Sequence, residues 1–378
     1  MRRIAVAVLL ALVPVLFVVP LANADPSMDA DDWYLEAMKV SQAHDLSDGS
    51  DVTVAVIDTG VDPSRPELLG RVLPGAMITE DGPKTGSSFD EDGHGTAMAG
   101  LIAGGQTPDR DAIGVAPKAT ILPVKIERDV NGTLNHRLVY EGVRWAIDHG
   151  AQVINLSLAG RPTEDDAWKR ELVGYALERD VVVVAAVGNR SVADSEVGEP
   201  ASIPGIIAVS GMSRDGTIWS GSATGDQVVL CAPAQDLPHL DGDGGVRMAS
   251  GTSASTALVS GTVALIRSAF PDASAAEVVS RLVDSATDAG EAGRDPEYGF
   301  GTVDAYAALT TSVQPGADYP LALGEDGSEA AGPIDLSQLG GWWLAVPAMV
   351  AVLAGVGAFS WLVRRARGRN LVTAEDGA

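Results

Sequence analysis

Three residues able to do nucleophilic chemistry together stand far apart in this sequence. VAVIDTGVD carries Asp58, DGHGTAMAGLIAG carries His94, and SGTSAS carries Ser253. A serine hydroxyl is a poor nucleophile until a histidine about 3 Å away takes its proton, with a carboxylate fixing the imidazole tautomer and stabilising the imidazolium. Alone, each residue has a plainer role: an aspartate after a strand closes a turn, a histidine packs into a loop, and a serine caps a helix. Together they point to attack on a carbonyl. A fourth residue fits that chemistry: Asn189, in AAVGNRS, is placed to donate its amide to the developing oxyanion beside the backbone N–H of Ser253, with Thr252 supporting it. Glycines beside His94 and before Ser253 permit close approach, and a helix beginning at the serine turns its positive end toward the oxyanion.

These four residues need a scaffold, and the chain alternates short β-branched runs with helical stretches between Asp51 and Leu309, the pattern of an α/β fold with a parallel sheet flanked by helices. Strands are expected over Val52 to Thr59, Thr120 to Ile126, Gln152 to Ala159, Val181 to Asn189 and Gly205 to Met212. Their near-continuous apolarity implies burial on both faces. Helical spacing marks Leu134 to His149, Trp168 to Arg179, Ser253 to Phe270 and Ala275 to Ala286. Ahead of the sheet, DDWYLEAMKVSQAHDL reads as one short helix, in a segment with nothing resembling an independent domain. A length of 378 residues with 46% hydrophobic and 20% charged content excludes a disordered chain.

Both ends address a membrane. Arg2 and Arg3, the apolar run to Leu21 and the Ala22-Asn23-Ala24 site form a signal peptide over 1–24. Near the other end, 341–363 includes an uncharged stretch from Trp342 to Val363 with tryptophans near its limits, long enough to span a bilayer. Arg364, Arg365, Arg367 and Arg369 follow and assign the tail, 364–378, to the cytoplasm. The expected organisation is therefore signal peptide, a short extension over 25–50, a catalytic domain over 51–312, a Pro/Gly-rich acidic tether over 313–340, a single membrane helix and a basic tail. The catalytic domain would lie outside a bacterial cell membrane. A net charge of -25 argues against nucleic acid as a partner, and the single cysteine, Cys231, rules out an internal disulfide and reads as a buried apolar residue. DGDGG, with Asp241 and Asp243, lacks the later glutamate of an EF-hand and reads as a flexible turn; no metal ligands are assigned.

The five motifs VAVIDTGVD, GHGTAMAG, VINLSLAG, VVVVAAVGN and SGTSAS resemble, in order, those of the subtilisin-like serine proteases, and YGFGTVDAYAAL resembles their closing segment. The resemblance implies a subtilisin-like fold and cleavage of peptides or proteins through Asp58, His94 and Ser253, with Asn189 and Thr252 at the oxyanion hole. It implies no cofactor, and leaves a structural calcium ion open. Substrate would pair as an added strand along Leu156, Ser157, Leu158, Ala159 and Gly160. The S1 pocket would be bordered by Ala186, Val187 and Gly188, with Gly198 at its floor leaving room. Glu199 is expected at the surface, with attraction of basic side chains as the alternative. Three positions depart from the family pattern: Ala254 and Ala257 replace its usual large residue and proline after the serine, and Ala159 replaces a glycine in the substrate strand. The whole layout resembles the mycosins, membrane-anchored proteases of type VII secretion systems, although mycosins carry disulfides that this chain cannot form. The departures motivate an alternative, a scaffold subunit that stabilises a membrane secretion complex with little proteolysis.

Overall fold

The computed structural model describes residues 32–108, 113–126, 134–164, 167–190, 196–242, 244–314, 316 and 318–321. The expected signal peptide, membrane helix and cytoplasmic tail, with most of the tether, lie outside the described residues. Among those residues, no helix is long and apolar enough to cross a membrane.

Two short helices, α1 (Trp33–Ala37) and α2 (Val40–Ala43), precede the sheet. The single helix expected there breaks at Lys39, whose φ of 55° is left-handed. The break lets both halves bury their apolar side: Tyr34, Met38, Val40 and Ala43 are at most 1% exposed. Tyr34 donates its hydroxyl to Ile113 O at 2.7 Å, and Ser47 donates to Leu265 O at 2.8 Å. This segment is thus part of the core, and the folded unit starts before the boundary at 51 that the sequence suggests.

The sheet comprises β1 (Thr53–Asp58), β2 (Ala76–Thr79), β3 (Gly82–Thr85), β4 (Thr120–Ile126), β5 (Val153–Leu156), β6 (Val182–Ala186), β7 (Ile207–Met212) and β8 (Leu230–Pro233). Its order is β3-β2-β4-β1-β5-β6-β7-β8, parallel throughout except for the β2/β3 hairpin at one edge. The chain builds outward from β1 first on one side and then on the other. The carboxyl ends of β1 and β5 therefore flank a topological switch point, where an open α/β sheet leaves a crevice. Asp58 ends one of those strands and Leu156 the other.

Helices cover both faces. On one side lie α3 (His94–Ala103) and α6 (Thr252–Ala269), with α7 (Ala275–Asp284) and α8 (Ala305–Thr310) packed outside α6; α4 (His136–Asp148) and α5 (Ala167–Glu178) pack together elsewhere against the sheet. In α6, Thr252 and everything from Ala254 to Arg267 are buried, while Ser253 is half-buried. A helix apolar all round belongs inside, and its hydroxyls are satisfied there: Ser255 donates to Ala232 O and Pro233 O, Thr256 to Thr252 O, and Thr262 to Leu258 O. The small residues after Ser253 thus serve packing, as their composition suggests. Cys231 is fully buried, and burial pushes its thiol up to about 12.

A second hairpin, β9 (Leu237–Leu240) with β10 (Val246–Ala249), packs against α3. Its turn contains the DGDGG stretch. Rather than hanging free, the turn is pinned: buried Arg65 donates to Asp241 O at 2.6 Å and Gly245 O at 3.0 Å while holding Glu67 at 3.1 Å. Asp243 lies outside the described residues.

Candidate active site

The switch point opens into a cleft of about 770 Å³ whose lining includes Asp58, His94, Ser157, Leu158, Ala159, Ala186, Gly188, Asn189, Thr252 and Ser253. These residues come from five separate elements and loops. The structure therefore gathers residues that are up to 195 positions apart in sequence.

Asp58 and His94 meet directly. Asp58 Oδ1 lies 2.7 Å from His94 Nδ1 and accepts the Thr59 N–H at 2.7 Å. The aspartate is 5% exposed while the histidine side chain is about one-third exposed, so the pair has a dry end and a wet end. Close approach of α3 to the β1 end depends on Gly95, where a Cβ would meet Gly60 O at 2.1 Å and Asp58 Cβ at 3.1 Å. Any side chain there would push the two elements apart.

One buried acceptor locks that contact. Asp90, 6% exposed, accepts from Gly93 N at 2.8 Å, Asp92 N at 3.1 Å, Thr96 N at 2.9 Å, Thr96 Oγ1 at 2.7 Å and Thr59 Oγ1 at 2.8 Å. Thr59 in turn accepts from Gly95 N at 3.0 Å, and Thr96 from Asp62 N at 2.9 Å. Asp90 thus satisfies free N–H groups at the start of α3 and ties that turn to the loop after Asp58. Burial, the largest influence on Asp90, raises its carboxyl, but the hydrogen bonds together outweigh it and hold the group below the usual range.

At the Ser253 end of the cleft, Ser253 Oγ donates to Ser157 O at 3.2 Å and Ser157 Oγ donates to Ser253 O at 2.9 Å. Behind them, Asn155 Nδ2 donates to Ser157 Oγ at 3.0 Å and Ser260 Oγ donates to Asn155 Oδ1 at 3.0 Å. This buried chain fixes the first turn of α6 against the end of β5. Asn189 is held through its oxygen, which accepts from Thr252 N at 3.0 Å and Thr252 Oγ1 at 3.1 Å. With the carbonyl so occupied, the Nδ2 group is the part left to donate into the cleft. Thr252 therefore orients Asn189, and its own hydroxyl proton is already spent on that oxygen.

The remaining expected positions divide. Ser157, Leu158, Ala159, Ala186 and Gly188 line the cleft, whereas Leu156 and Val187 are fully buried core residues. Gly160 and Gly198 lie behind the cleft lining: Gly160 exchanges two backbone hydrogen bonds with Glu199, at 2.8 and 2.9 Å, and Gly198 N donates to Val187 O at 2.9 Å. A Cβ added to Gly198 would lie 3.1 Å from the Ala159 methyl, so that methyl fills space beside the glycine. Glu199 is not at the surface. It is 1% exposed and faces Lys169 at 2.7 Å, the Thr163 N–H at 3.0 Å and His136 at 3.6 Å. Ala254 and Ala257 are fully buried in the helix core.

Residues 49–301 match the Subtilase family, Peptidase_S8. The chain belongs to the subtilase family. Among relatives, fervidolysin of Fervidobacterium pennivorans is 32% identical over 311 residues, covering 73% of this subtilase and 43% of fervidolysin. Subtilisin E of Bacillus subtilis is 36% identical over 262 residues, 69% of this chain and 66% of that one. The subtilase thus spans under half of fervidolysin and just under two thirds of subtilisin E. Solved structures similar to it include MycP1 of Mycobacterium smegmatis, with a TM-score of 0.67 at 28% identity, covering 77% of this chain and 88% of that one. MycP3 protease, from the type VII (ESX-3) secretion system, has a TM-score of 0.66 at 31% identity, covering 76% and 90%. The resemblance to subtilisin-like proteases drawn from the motifs is therefore borne out, and so is the likeness to mycosins, on the catalytic domain's similarity to MycP1 and MycP3.

Sequence reasoning missed Asp90, Thr59 and Asn155 as parts of the site. Asp90 carried a signal, four residues before His94 in DEDGHG, but a run of acids before a helix reads equally well as a solvated first turn. Among the described residues, no group of three or more His, Cys, Asp or Glu side chains is arranged to hold a metal ion.

Proposed function

We propose that this subtilase is a serine endopeptidase in which Ser253 attacks the peptide carbonyl, His94 takes and returns the proton, and Asp58 holds the imidazole. The observation that carries the reading is the 2.7 Å contact from a buried Asp58 to Nδ1 of a partly exposed His94, in the same cleft as Ser253. With Nδ1–H donated to the carboxylate, Nε2 is left as the base. Ser253 gives up its hydrogen bond to Ser157 O as its proton passes to His94, and Oγ bonds to the carbonyl carbon. The oxyanion then accepts from Asn189 Nδ2 and the Ser253 N–H at the positive end of α6. His94 returns the proton to the leaving amine, and water repeats the sequence on the acyl-enzyme. Peptide or protein substrates bind in extended form along Ser157 and Leu158. The chemistry proceeds through side chains and backbone alone, without a cofactor.

The same reading extends to location and partners. The sequence pattern of signal peptide, single membrane helix and arginine-rich tail supports anchoring in a bacterial cell membrane with the catalytic domain outside. The likeness to MycP1 and MycP3 supports work within a membrane secretion complex of the type VII kind, on its components or cargo. The test is labelling of the full chain with a fluorophosphonate probe. Wild type should be modified at Ser253 and the Ser253→Ala chain should stay unlabelled; a folded wild-type chain that resists the probe would sink the catalytic reading.

A further inference from the structure

The wall of the cleft beside Ser253 is built from two backbone segments, Ser157 to Gly160 and Ala186 to Asn189, with Gly198 joining them from behind. A side chain entering between those segments needs open space in the middle, and in this chain the Ala159 methyl occupies it. A Cβ added to Gly188 would lie 3.3 Å from Ala159 Cβ, and one added to Gly198 would lie 3.1 Å from the same carbon. Since a carbon–carbon bond is about 1.5 Å long, the methyl is within roughly 5 Å of both glycine Cα atoms. An aromatic ring or a branched chain sandwiched between two carbon walls needs about 7 Å between them, twice an ordinary contact. The slot is therefore too shallow for either, although its mouth, lined by Ser157, Ala186 and Gly188, stays open.

Glu199, next in sequence to Gly198, offers no free charge to draw a basic side chain inward. Its carboxylate is engaged by Lys169 and by both donors of Thr163 and lies 3.6 Å from His136, while the residue is 1% exposed. A lysine or arginine reaching toward it would have to displace Ala159 and compete with an ion pair already in place.

We propose that Ala159 is the specificity-determining residue of this cleft, closing the pocket for the side chain before the scissile bond to all but the smallest residues, so that cleavage follows alanine or glycine. The inference rests on the proteolytic reading above and names the substrate class of that same site. It also assigns a role to one of the three departures from the family pattern: a limit on what is cut, with the triad itself untouched.

The experiment uses the full-length, detergent-solubilised chain and otherwise identical tetrapeptide anilides ending in Gly, Ala, Leu, Phe or Lys, with fluorophosphonate labelling as an independent readout. Wild type should take the Ala and Gly substrates with kcat/KM roughly 50-fold or more above Leu, Phe and Lys, the range over which a pocket rejects a group it cannot hold. Ala159→Gly should raise kcat/KM for Leu and Phe relative to the Ala substrate by about 10-fold or more, with Lys still poor. Ala159→Val provides the opposite change: the Ala substrate should fall while the Gly substrate persists and probe labelling continues. A labelled wild type that cleaves after Phe as readily as after Ala overturns the inference alone, as does an Ala159→Gly chain with an unchanged Phe-to-Ala ratio. Wild type that is neither labelled nor active on any substrate overturns the proteolytic reading and the inference with it.

Discussion

Asp90 and Glu199 are both buried carboxylates beside the cleft, and they are satisfied in opposite ways. Asp90 accepts only from backbone N–H groups and threonine hydroxyls, whereas Glu199 faces Lys169 and His136 as well as Thr163. Uncharged donors fixed by the backbone set a position and stay in place across pH. A cationic partner such as Lys169 neutralises the charge, and a histidine beside it can titrate. The difference matches the two halves of the site: the half holding Asp58 and His94 needs geometry good to a fraction of an ångström, while the half behind Ala159 needs only a filled, neutral floor.

The strongest way to break this contrast is Asp90→Ala. The substitution leaves Gly93 N and Thr96 N without their partner, frees Thr59 Oγ1, and lets the first turn of α3 drift from the end of β1. A displacement near 1 Å at the reacting groups costs on the order of 100-fold in rate, so kcat/KM should fall at least about 100-fold in a steady-state assay. Unfolding should show a loss of about 3 kcal/mol, because buried donors are left unpaired. A kcat/KM within a few-fold of wild type would mean that Gly95 packing alone sets the approach of His94 to Asp58, and that Asp90 is an ordinary helix cap.

Titration separates the two modes further. Burial lowers His136 most, with Lys169 lowering it and Glu199 opposing. His239, 5% exposed on β9, is pushed down to about 4, first by burial and then by Arg247 and His94. A depressed histidine is protonated more readily in the unfolded chain, so its contribution is complete above about pH 6.5 and is lost as pH falls toward the folded value. Asp90 is a depressed acid, so its contribution holds above about pH 3.9 and is lost only as pH falls through its lower folded value. The thermal midpoint should therefore decline in two stages, one between about pH 6.5 and 4 and one below. His239→Gln should remove most of the first stage, which amounts to about 3 kcal/mol, and leave the second. A single transition below pH 4 in wild type would mean that the buried histidines are hydrated before unfolding.

The same contrast explains what could be read in advance. The proposed catalytic constellation was legible because nucleophile, base and acid must each be one residue type, and because the buried strands that lead to Asp58 and Asn189 are continuous apolar runs such as Val181 to Ala186. Thr120 to Ile126 matched at both ends, while other strand ends differed by up to three residues, since VINLSLAG continues apolar past Leu156 although the ladder stops there. Supporting residues were harder to find. Asp90 and Glu199 are acids in polar surroundings, and only folding shows that one collects backbone donors and the other an ion pair. The hairpin Ala76 to Thr85 escaped because an edge strand with its outer half exposed has no apolar alternation to display. Ala159 was visible as a departure, yet its direction, between two glycines from other segments, is a property of the tertiary structure alone.

Asn189 provides the finest test of how uncharged donors set position. Its Oδ1 accepts from Thr252 twice, once from the main chain and once from the hydroxyl, at 3.0 and 3.1 Å. Thr252→Val keeps the shape and the main-chain bond and deletes only the hydroxyl. If Thr252 acts by orienting the amide, the remaining bond keeps Nδ2 turned into the cleft, and kcat should drop by no more than about 5-fold, the equivalent of about 1 kcal/mol for one neutral hydrogen bond. KM should stay unchanged, because the amide is needed only once the oxyanion forms. A loss on the order of 100-fold, the scale for removing a donor from an oxyanion hole, would instead make the Thr252 hydroxyl a direct donor to the transition state. Asn189 would then have to find its orientation elsewhere.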